Sequence, residues 1–316
     1  MTEKAKQRLL AVVGPTASGK SRLAVELAKR LGGEILSCDS MQIYRDMDIG
    51  TAKPTEEEMQ GVPHYLIDFA DPHTPFSCAD YVDAAKGILS SLEDRGVMPI
   101  LCGGTGLYLD RLLMGGTAEE ASPCESLREE LRAYAEREGR HALHERLAAV
   151  DPESALQIHE NNLHRVLRAL EIYETTGIPK SVWDRRSKTV EPCYGATVIG
   201  LRYTDRELLY ARINERVDVM MREGLLDETE QLLASGVFES NQTAAQAIGY
   251  KELFPYLNGE ASLEDCIDEL KRASRRYAKR QITWFSGKEY AHKVFLDDEN
   301  GLKEFEDIVN NLKKLF

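Results

Sequence analysis

The chain has 316 residues, 42% of them apolar, enough for one large domain or two smaller ones around a substantial core. No run approaches the ~18 consecutive apolar residues of a membrane span, and residues 1–6 lack the apolar block of a secretory signal, so a cytoplasmic protein with no membrane partner is expected. A formal net charge of −13 argues against a uniformly basic nucleic-acid binder, and six singly placed cysteines argue against a disulfide framework or a structural zinc site.

Residues 8–13 form a short apolar run ending at Gly14 and read as a buried strand. A Gly-rich loop follows. Residues 22–31 then predict a helix, with Leu23, Leu27 and Leu31 at i, i+4 spacing and Gly32-Gly33 as its stop. Further strands are predicted over 34–38, ending at Asp39, and over 97–102, ending at Gly103-Gly104. Strands alternating with helices specify a parallel sheet covered on both faces, with the site beyond the carboxyl ends of the strands, where Gly14, Asp39 and Gly103 can converge. From Thr117 to about Tyr173 the chain is charged and helical. A strand returns at 196–201 and the remainder reads as helical, its last long helix opened by Ser262 and Asp265 in an acidic variant of the capping box. The expected organisation is a first part of the core over 1–117, a helical insertion over 118–185, and a second part of the core with basic helices over 186–316.

The loop Gly14-Pro15-Thr16-Ala17-Ser18-Gly19-Lys20-Ser21 matches the P-loop pattern at every fixed position, with a strand before it and a helix after it. Glycines let backbone N–H groups turn onto phosphate oxygens, and the helix start adds the favourable end of its dipole. Lys20 places a compact positive charge among terminal phosphates. Ser21 offers a hydroxyl to Mg²⁺, the one cofactor expected, which prefers oxygen ligands and keeps several waters. The motif specifies a di- or triphosphate but no reaction. An ATP-dependent kinase and a pyrophosphate-releasing transferase both remain open at this point.

The segment Asp39-Ser40-Met41-Gln42-Ile43-Tyr44-Arg45-Asp46-Met47-Asp48-Ile49-Gly50-Thr51-Ala52-Lys53-Pro54 resembles the signature that follows the P-loop in tRNA dimethylallyltransferases. Further matches come in that family's order: His64-Tyr65-Leu66-Ile67-Asp68, Gly103-Gly104-Thr105-Gly106-Leu107-Tyr108 and Arg165-Val166-Leu167-Arg168-Ala169-Leu170-Glu171. Near the end stand Gln246-Ala247-Ile248-Gly249-Tyr250-Lys251-Glu252 and Ala278-Lys279-Arg280-Gln281-Ile282-Thr283-Trp284-Phe285. The resemblance spans nearly the whole chain and is least distinctive over 117–162.

The resemblance implies a P-loop NTPase-like α/β core with an all-helical insertion. It also implies a reaction, in which the dimethylallyl group of dimethylallyl diphosphate moves to the exocyclic amine of adenosine 37, beside the anticodon of tRNA. Pyrophosphate leaves and Mg²⁺ assists. An adenine amine is a weak nucleophile, and a nearby carboxylate can accept its proton and orient attack. By position alone Asp39 suits a general base, a Mg²⁺ or water ligand, or a turn cap; the resemblance favours the base. Thr105, a turn-stabilising residue by position, is implied to hydrogen-bond the substrate near the reacting centre. Arg216 is implied near pyrophosphate, with Arg222 a weaker second. Asp39, Ser40, Met41, Gln42, Thr105, Arg128, Arg165, Arg168 and Lys251 are implied to meet the tRNA anticodon stem-loop. A monomer is expected.

Arg165 and Arg168, three apart, and Arg212 and Arg216, four apart, share helix faces; read as residues alone, such pairs are solvated faces. Six basic residues in the ten from Lys271 to Arg280 form a local patch in an acidic chain, and Arg275, Arg276 and Arg280 in it are expected to contact phosphates. Leu263, Ile267, Leu270 and Tyr277 are expected to face the core. His141, His144, His159 and His164 have no ligand-spaced partner and predict no metal site. Trp284 and Phe285 are read as core residues.

Overall fold

The computed structural model describes residues 7–114, 124–188 and 192–298, together with 303, 306, 307 and 310. In chain order the elements begin with β1 (Arg8–Val13), α1 (Lys20–Leu31), β2 (Gly33–Ser37), α2 (Glu56–Met59) and β3 (His64–Tyr65). They continue with α3 (Cys78–Asp94), β4 (Met98–Gly103) and α4 (Gly106–Met114). A run of helices follows: α5 (Glu125–Glu138), α6 (Arg140–Val150), α7 (Pro152–Gln157), α8 (Leu163–Thr176) and α9 (Lys180–Lys188). The last group is β5 (Gly195–Arg202), α10 (Arg206–Glu223), α11 (Leu225–Ala234), α12 (Val237–Ser240), α13 (Phe254–Leu257), α14 (Leu263–Ser286) and β6 (Ala291–Phe295).

The chain forms two compact units, one from Met1–Leu113 with Cys193–Phe316 and the other from Met114–Pro192. The expected insertion boundaries at 117 and 118 fall outside the described residues.

In the first unit all six strands are parallel, in the order β3-β2-β4-β1-β5-β6. β1 is central because five of its six residues are apolar and buried, as a strand covered on both faces requires. One face packs Leu9, Ala11 and Val13 against α3, α4 and Phe285; the other packs Leu10 and Val12 against α1. A third cluster joins Ile43, Tyr44 and Met47 to Val217, Leu225, Tyr250 and Leu270.

Several sequence expectations need correction. The tail is not wholly helical: β6 adds an edge strand. Its burial is interrupted, with Ala291 and Val294 buried while His292 and Lys293 are exposed, so neither alternation nor an apolar run marked it. Strand β3 is only two residues long and escaped for a similar reason. Helix α1 begins at Lys20, because Gly19 takes a left-handed φ of 84° and ends the loop there. Ser262 caps α14 by accepting from the Asp265 N–H at 3.1 Å, but its hydroxyl donates to the Asp265 carboxylate, so the reciprocal bond to the cap backbone is replaced. Phe285 is fully buried, whereas Trp284 is 38% exposed. Consecutive helical positions point about 100° apart, and here Phe285 takes the buried side. On the same helix Leu270 is buried, as expected, along with Cys266, while Tyr277 is half-buried. Of the six cysteines Cys38, Cys102 and Cys266 are buried and Cys193 is exposed.

The second unit is built from α5 to α9 around Leu131, Leu143, Leu147, Val166 and Leu170. Buried Asp151 accepts from the Ser154 N–H at 3.1 Å, capping α7, and from the Ser181 N–H at 2.9 Å, tying α9 to it. Glu171 is fully buried and accepts from Arg128 at 2.9 Å, Arg168 at 2.7 Å and the Cys124 N–H at 2.8 Å. Burial opposes ionisation of its carboxyl, but these bonds outweigh burial and hold it below the usual carboxylate range. A depressed folded-state value means the stabilisation is complete above the unfolded glutamate value of ~4.3 and is lost as pH falls through the lower folded value. Glu171→Gln should cost about 2 kcal/mol at neutral pH, less than for a fully buried pair because both arginines are partly exposed. Urea unfolding at several pH values should show this loss shrinking as the wild type is acidified below pH ~4.

Candidate active site

Three strand ends meet at the carboxyl edge of the sheet, and each delivers one part of the site. Strand β1 runs directly into the P-loop. Ala17 takes a left-handed φ of 59°, and its carbonyl accepts from Arg212 Nε at 3.1 Å. The Tyr203 hydroxyl donates to the Ser18 carbonyl at 3.4 Å, so the loop is held from the segment after β5. Lys20 reaches back to the Pro15 carbonyl at 3.2 Å.

Strand β2 ends at Ser37, and the next residue, Cys38, donates its N–H to the Cys102 carbonyl at 2.8 Å. Next comes Asp39. Its Oδ1 accepts from the Met41 N–H at 2.9 Å and the Gln42 N–H at 3.4 Å, which fixes the carboxylate and leaves Oδ2 for another partner. Strand β4 ends in the turn that holds Thr105. A Cβ at Gly103 would lie 2.1 Å from the Cys38 carbonyl oxygen, and one at Gly104 would lie 2.0 Å from Gln281 Nε2. Glycine at 103 therefore lets the two strand ends approach, and glycine at 104 leaves room for the Gln281 amide. Thr105 Oγ1 accepts from the Ser40 N–H at 3.1 Å, joining the two turns.

Arg216 comes from α10, where Leu209, Ile213 and Val217 repeat at i+4 and bury one face. Its Nη2 donates to the Ala52 carbonyl at 3.4 Å. Burial lowers the pKa of Arg216, opposed by Glu58, Asp39 and Glu223. Burial also lowers Lys20; repulsion from Arg216 adds to the shift, while Cys102 and Asp39 oppose it. Burial pushes the neighbouring thiols up, Cys102 to about 11 and Cys38 to about 12, so both stay neutral and are not nucleophiles.

A cavity of about 270 Å³ opens among these parts. Thr16, Ala17, Lys20 and Ser21 of the loop line it, with Asp39, Ser40, Met41, Gln42, Arg216, Lys251 and Arg280. Its remaining wall is largely apolar and includes Ile213, Val217, Met220, Ile248 and Leu270. Thr105 stands behind Ser40. Arg222 lies exposed at the end of α10 and is not in the lining. Arg275 donates to Asn214 at 2.5 Å, and Arg276 pairs with Glu269 at 3.4 Å. The basic run of α14 has no acids within it but borrows two from outside, Glu269 for Arg272 and Asp218 for Lys271. In the second unit Arg165 is exposed, while Arg128 and Arg168 are committed to Glu171.

Sequence reasoning assigned no role to Gln281. This 5% exposed residue accepts from the Thr16 N–H at 2.8 Å and donates to the Gly104 carbonyl at 3.2 Å, spanning the P-loop and the Thr105 turn. The available signal was a polar residue on the apolar stripe of α14, one turn before Phe285. Tyr277, raised by burial, bonds both Thr105 and Gln281.

A strand–loop–helix P-loop on a parallel sheet, with a second cation and a carboxylate facing it, defines a phosphate-binding α/β enzyme. A family model described as IPP transferase matches residues 42–288. The tRNA dimethylallyltransferase of Bacillus subtilis is 50% identical over 283 residues, covering 90% of this chain and 89% of its own. That of a Thermoanaerobacter species is 46% identical over 308 residues, covering 97% and 96%. Among solved structures, the tRNA isopentenylpyrophosphate transferase of Bacillus halodurans gives a TM-score of 0.71 at 46% identity, over 98% of this chain and 96% of that one. A eukaryotic dimethylallyltransferase acting on tRNA gives 0.80 at 28% identity, over 98% and 80%. The chain belongs to the tRNA dimethylallyltransferase, or IPP transferase, family.

Two measurements follow from this geometry. Pyrophosphate affinity should weaken as pH rises, starting below the ordinary lysine value of ~10.4 because the Lys20 value is depressed, and Lys20→Arg should move that decline to higher pH in a calorimetric titration. Gln281→Glu keeps the acceptor for Thr16 but loses the donor to Gly104 and adds an anion beside the loop; pyrophosphate Kd should rise roughly tenfold.

Proposed function

We propose that the chain transfers the dimethylallyl group of dimethylallyl diphosphate to N6 of adenosine 37 in tRNA, releasing pyrophosphate. The observation that carries this reading is the shared cavity. The Asp39 carboxylate faces the same 270 Å³ space as Lys20 and Arg216, so a proton acceptor and a diphosphate grip act across one reacting carbon.

In this reading the P-loop backbone, Lys20 and Arg216 bind the diphosphate, and the apolar wall near Met220 and Leu270 receives the dimethylallyl chain. The N6–C1 bond forms as the C1–O bond breaks. The electron pair leaves with pyrophosphate, whose growing charge the two cations stabilise. The N6 proton passes to Asp39 Oδ2. Thr105 and the backbone of Ser40 hold the acceptor side of the cavity. The Ser21 hydroxyl lines the cavity and suits a Mg²⁺ ion, which prefers oxygen ligands and would complete its shell with phosphate oxygens and water. Mg²⁺ would neutralise charge on the diphosphate. Among the described residues no helix is long and apolar enough to cross a membrane.

Lys251 and Arg280 lie at the cavity, and Arg275 and Arg276 continue the basic face of α14; with Arg165, Arg128 and Arg168 they are our proposed contacts to the anticodon stem-loop. The enzyme acts as a monomer in this reading. Extruding a base costs a few kcal/mol of stacking, which these phosphate contacts offset.

Purified protein, Mg²⁺ and unmodified anticodon stem-loop RNA should take up label from allyl-labelled dimethylallyl diphosphate. Asp39→Ala should lower kcat by roughly 10²- to 10⁴-fold while leaving pyrophosphate affinity within about threefold. Thr105→Val should cost about tenfold. Label moving instead from γ-labelled ATP to a small acceptor would overturn the reading.

A further inference from the structure

A carboxylate that does not line the cavity organises a loop that does. Glu228 lies in the first turn of α11. Its Oε2 accepts from the Asp48 and Ile49 N–H groups at 3.1 and 2.8 Å. Its Oε1 accepts from the Gly50 N–H at 3.0 Å and the Tyr250 hydroxyl at 2.8 Å. Three successive backbone N–H groups thus converge on one anion, the arrangement of a backbone nest. The same segment is pressed from its other side. A Cβ on Gly50 would lie 2.4 Å from the Tyr250 ring, and one on Gly249 would lie 2.8 Å from the Gly50 carbonyl oxygen.

The next two residues carry this rigidity to the cavity. Gln42 Nε2 donates to the Thr51 and Ala52 carbonyls at 3.2 and 2.9 Å, and Arg216 Nη2 donates to the Ala52 carbonyl. Arg216 and Lys20 line one cavity and repel each other. A guanidinium in that position needs a fixed acceptor to stay aimed inward. The Ala52 carbonyl is that acceptor, and Glu228 fixes the loop that presents it.

We propose that Glu228 is a positioning residue for the diphosphate, acting through the 48–52 loop and Arg216. This rests on the cavity being the allylic diphosphate site. A purely structural strut would lower stability without acting through Arg216, so a double-mutant cycle separates the two roles.

The experiment titrates pyrophosphate with Mg²⁺ into the full chain by calorimetry, well below each variant's melting temperature. The variants are Glu228→Gln, Tyr250→Phe, Arg216→Ala and the combinations of the first two with Arg216→Ala. Glu228→Gln turns an amide NH₂ toward N–H donors and should raise Kd about tenfold; Tyr250→Phe removes one bond and should raise it about threefold. Neither should change Kd further in the Arg216→Ala background. If Glu228→Gln fails to fold, Tyr250→Phe completes the cycle. Unchanged Kd with a lower melting temperature, or effects that add to that of Arg216→Ala, overturns the role of Glu228 while leaving the site reading intact. A wild type that does not bind pyrophosphate overturns the site reading and this inference together.

Discussion

The site depends on one buried amide. Gln281 sits on a helix that otherwise turns apolar residues inward, yet its side chain points at two backbone groups from different strand ends. It takes the Thr16 N–H of the P-loop and gives to the Gly104 carbonyl of the Thr105 turn. A buried polar group is tolerated only when it is satisfied, and these two bonds satisfy an acceptor and a donor at once. They also set the distance between the P-loop and the turn that braces Ser40. Both glycines of the turn follow from this packing: any side chain at Gly104 would displace the amide, and any at Gly103 would separate β4 from Cys38.

Electrostatics supplies the second requirement. Lys20 and Arg216 are both depressed by burial, and the Arg216 charge lowers Lys20 further. Asp39 offsets part of that cost from across the cavity. A diphosphate brings several negative charges into the same low-dielectric space, where each interaction counts for more than it does in water. Asp39 thus moderates the Lys20–Arg216 pair, and in the proposed reaction the same carboxylate would take the proton while that pair holds the leaving group.

Much of this was legible in the sequence because the residues concerned are local in it. The P-loop reads as one run, and the burial of β1, β2, β4 and β5 is continuous enough to mark four strands. The wall of the cavity was less legible. Gln281 and Glu228 act on backbone groups 265 and about 180 residues away; the position of Gln281 on an apolar stripe hints at burial but not at its partners, and nothing local distinguishes Glu228 from an ordinary helical Glu. Strand β6 was missed because two of its five side chains face solvent and are polar. Trp284 was read as core beside Phe285, but the turn of α14 carries it to the edge of the buried stripe, 38% exposed. The arginines of α8 and α14 were found by spacing, but their acidic partners were not, since Glu171 looks like any exposed glutamate until the helices of its unit pack.

The strand order has a consequence for how the molecule is made. Strand β1 lies between β4 and β5, and the whole second unit is encoded between those two neighbours. While the chain emerges from the ribosome, β1 can pair with β4, but its other edge stays open until residues near 200 arrive. That edge is apolar, and an open apolar edge is a template for misassociation. The second unit has its own core and can close during the interval. The segments that brace the P-loop, around Tyr203, Arg212 and Gln281, come later still. The phosphate motif is therefore among the first parts of the chain to be synthesised and among the last to be completed, and a nascent chain that stops before Gln281 carries the motif without the site.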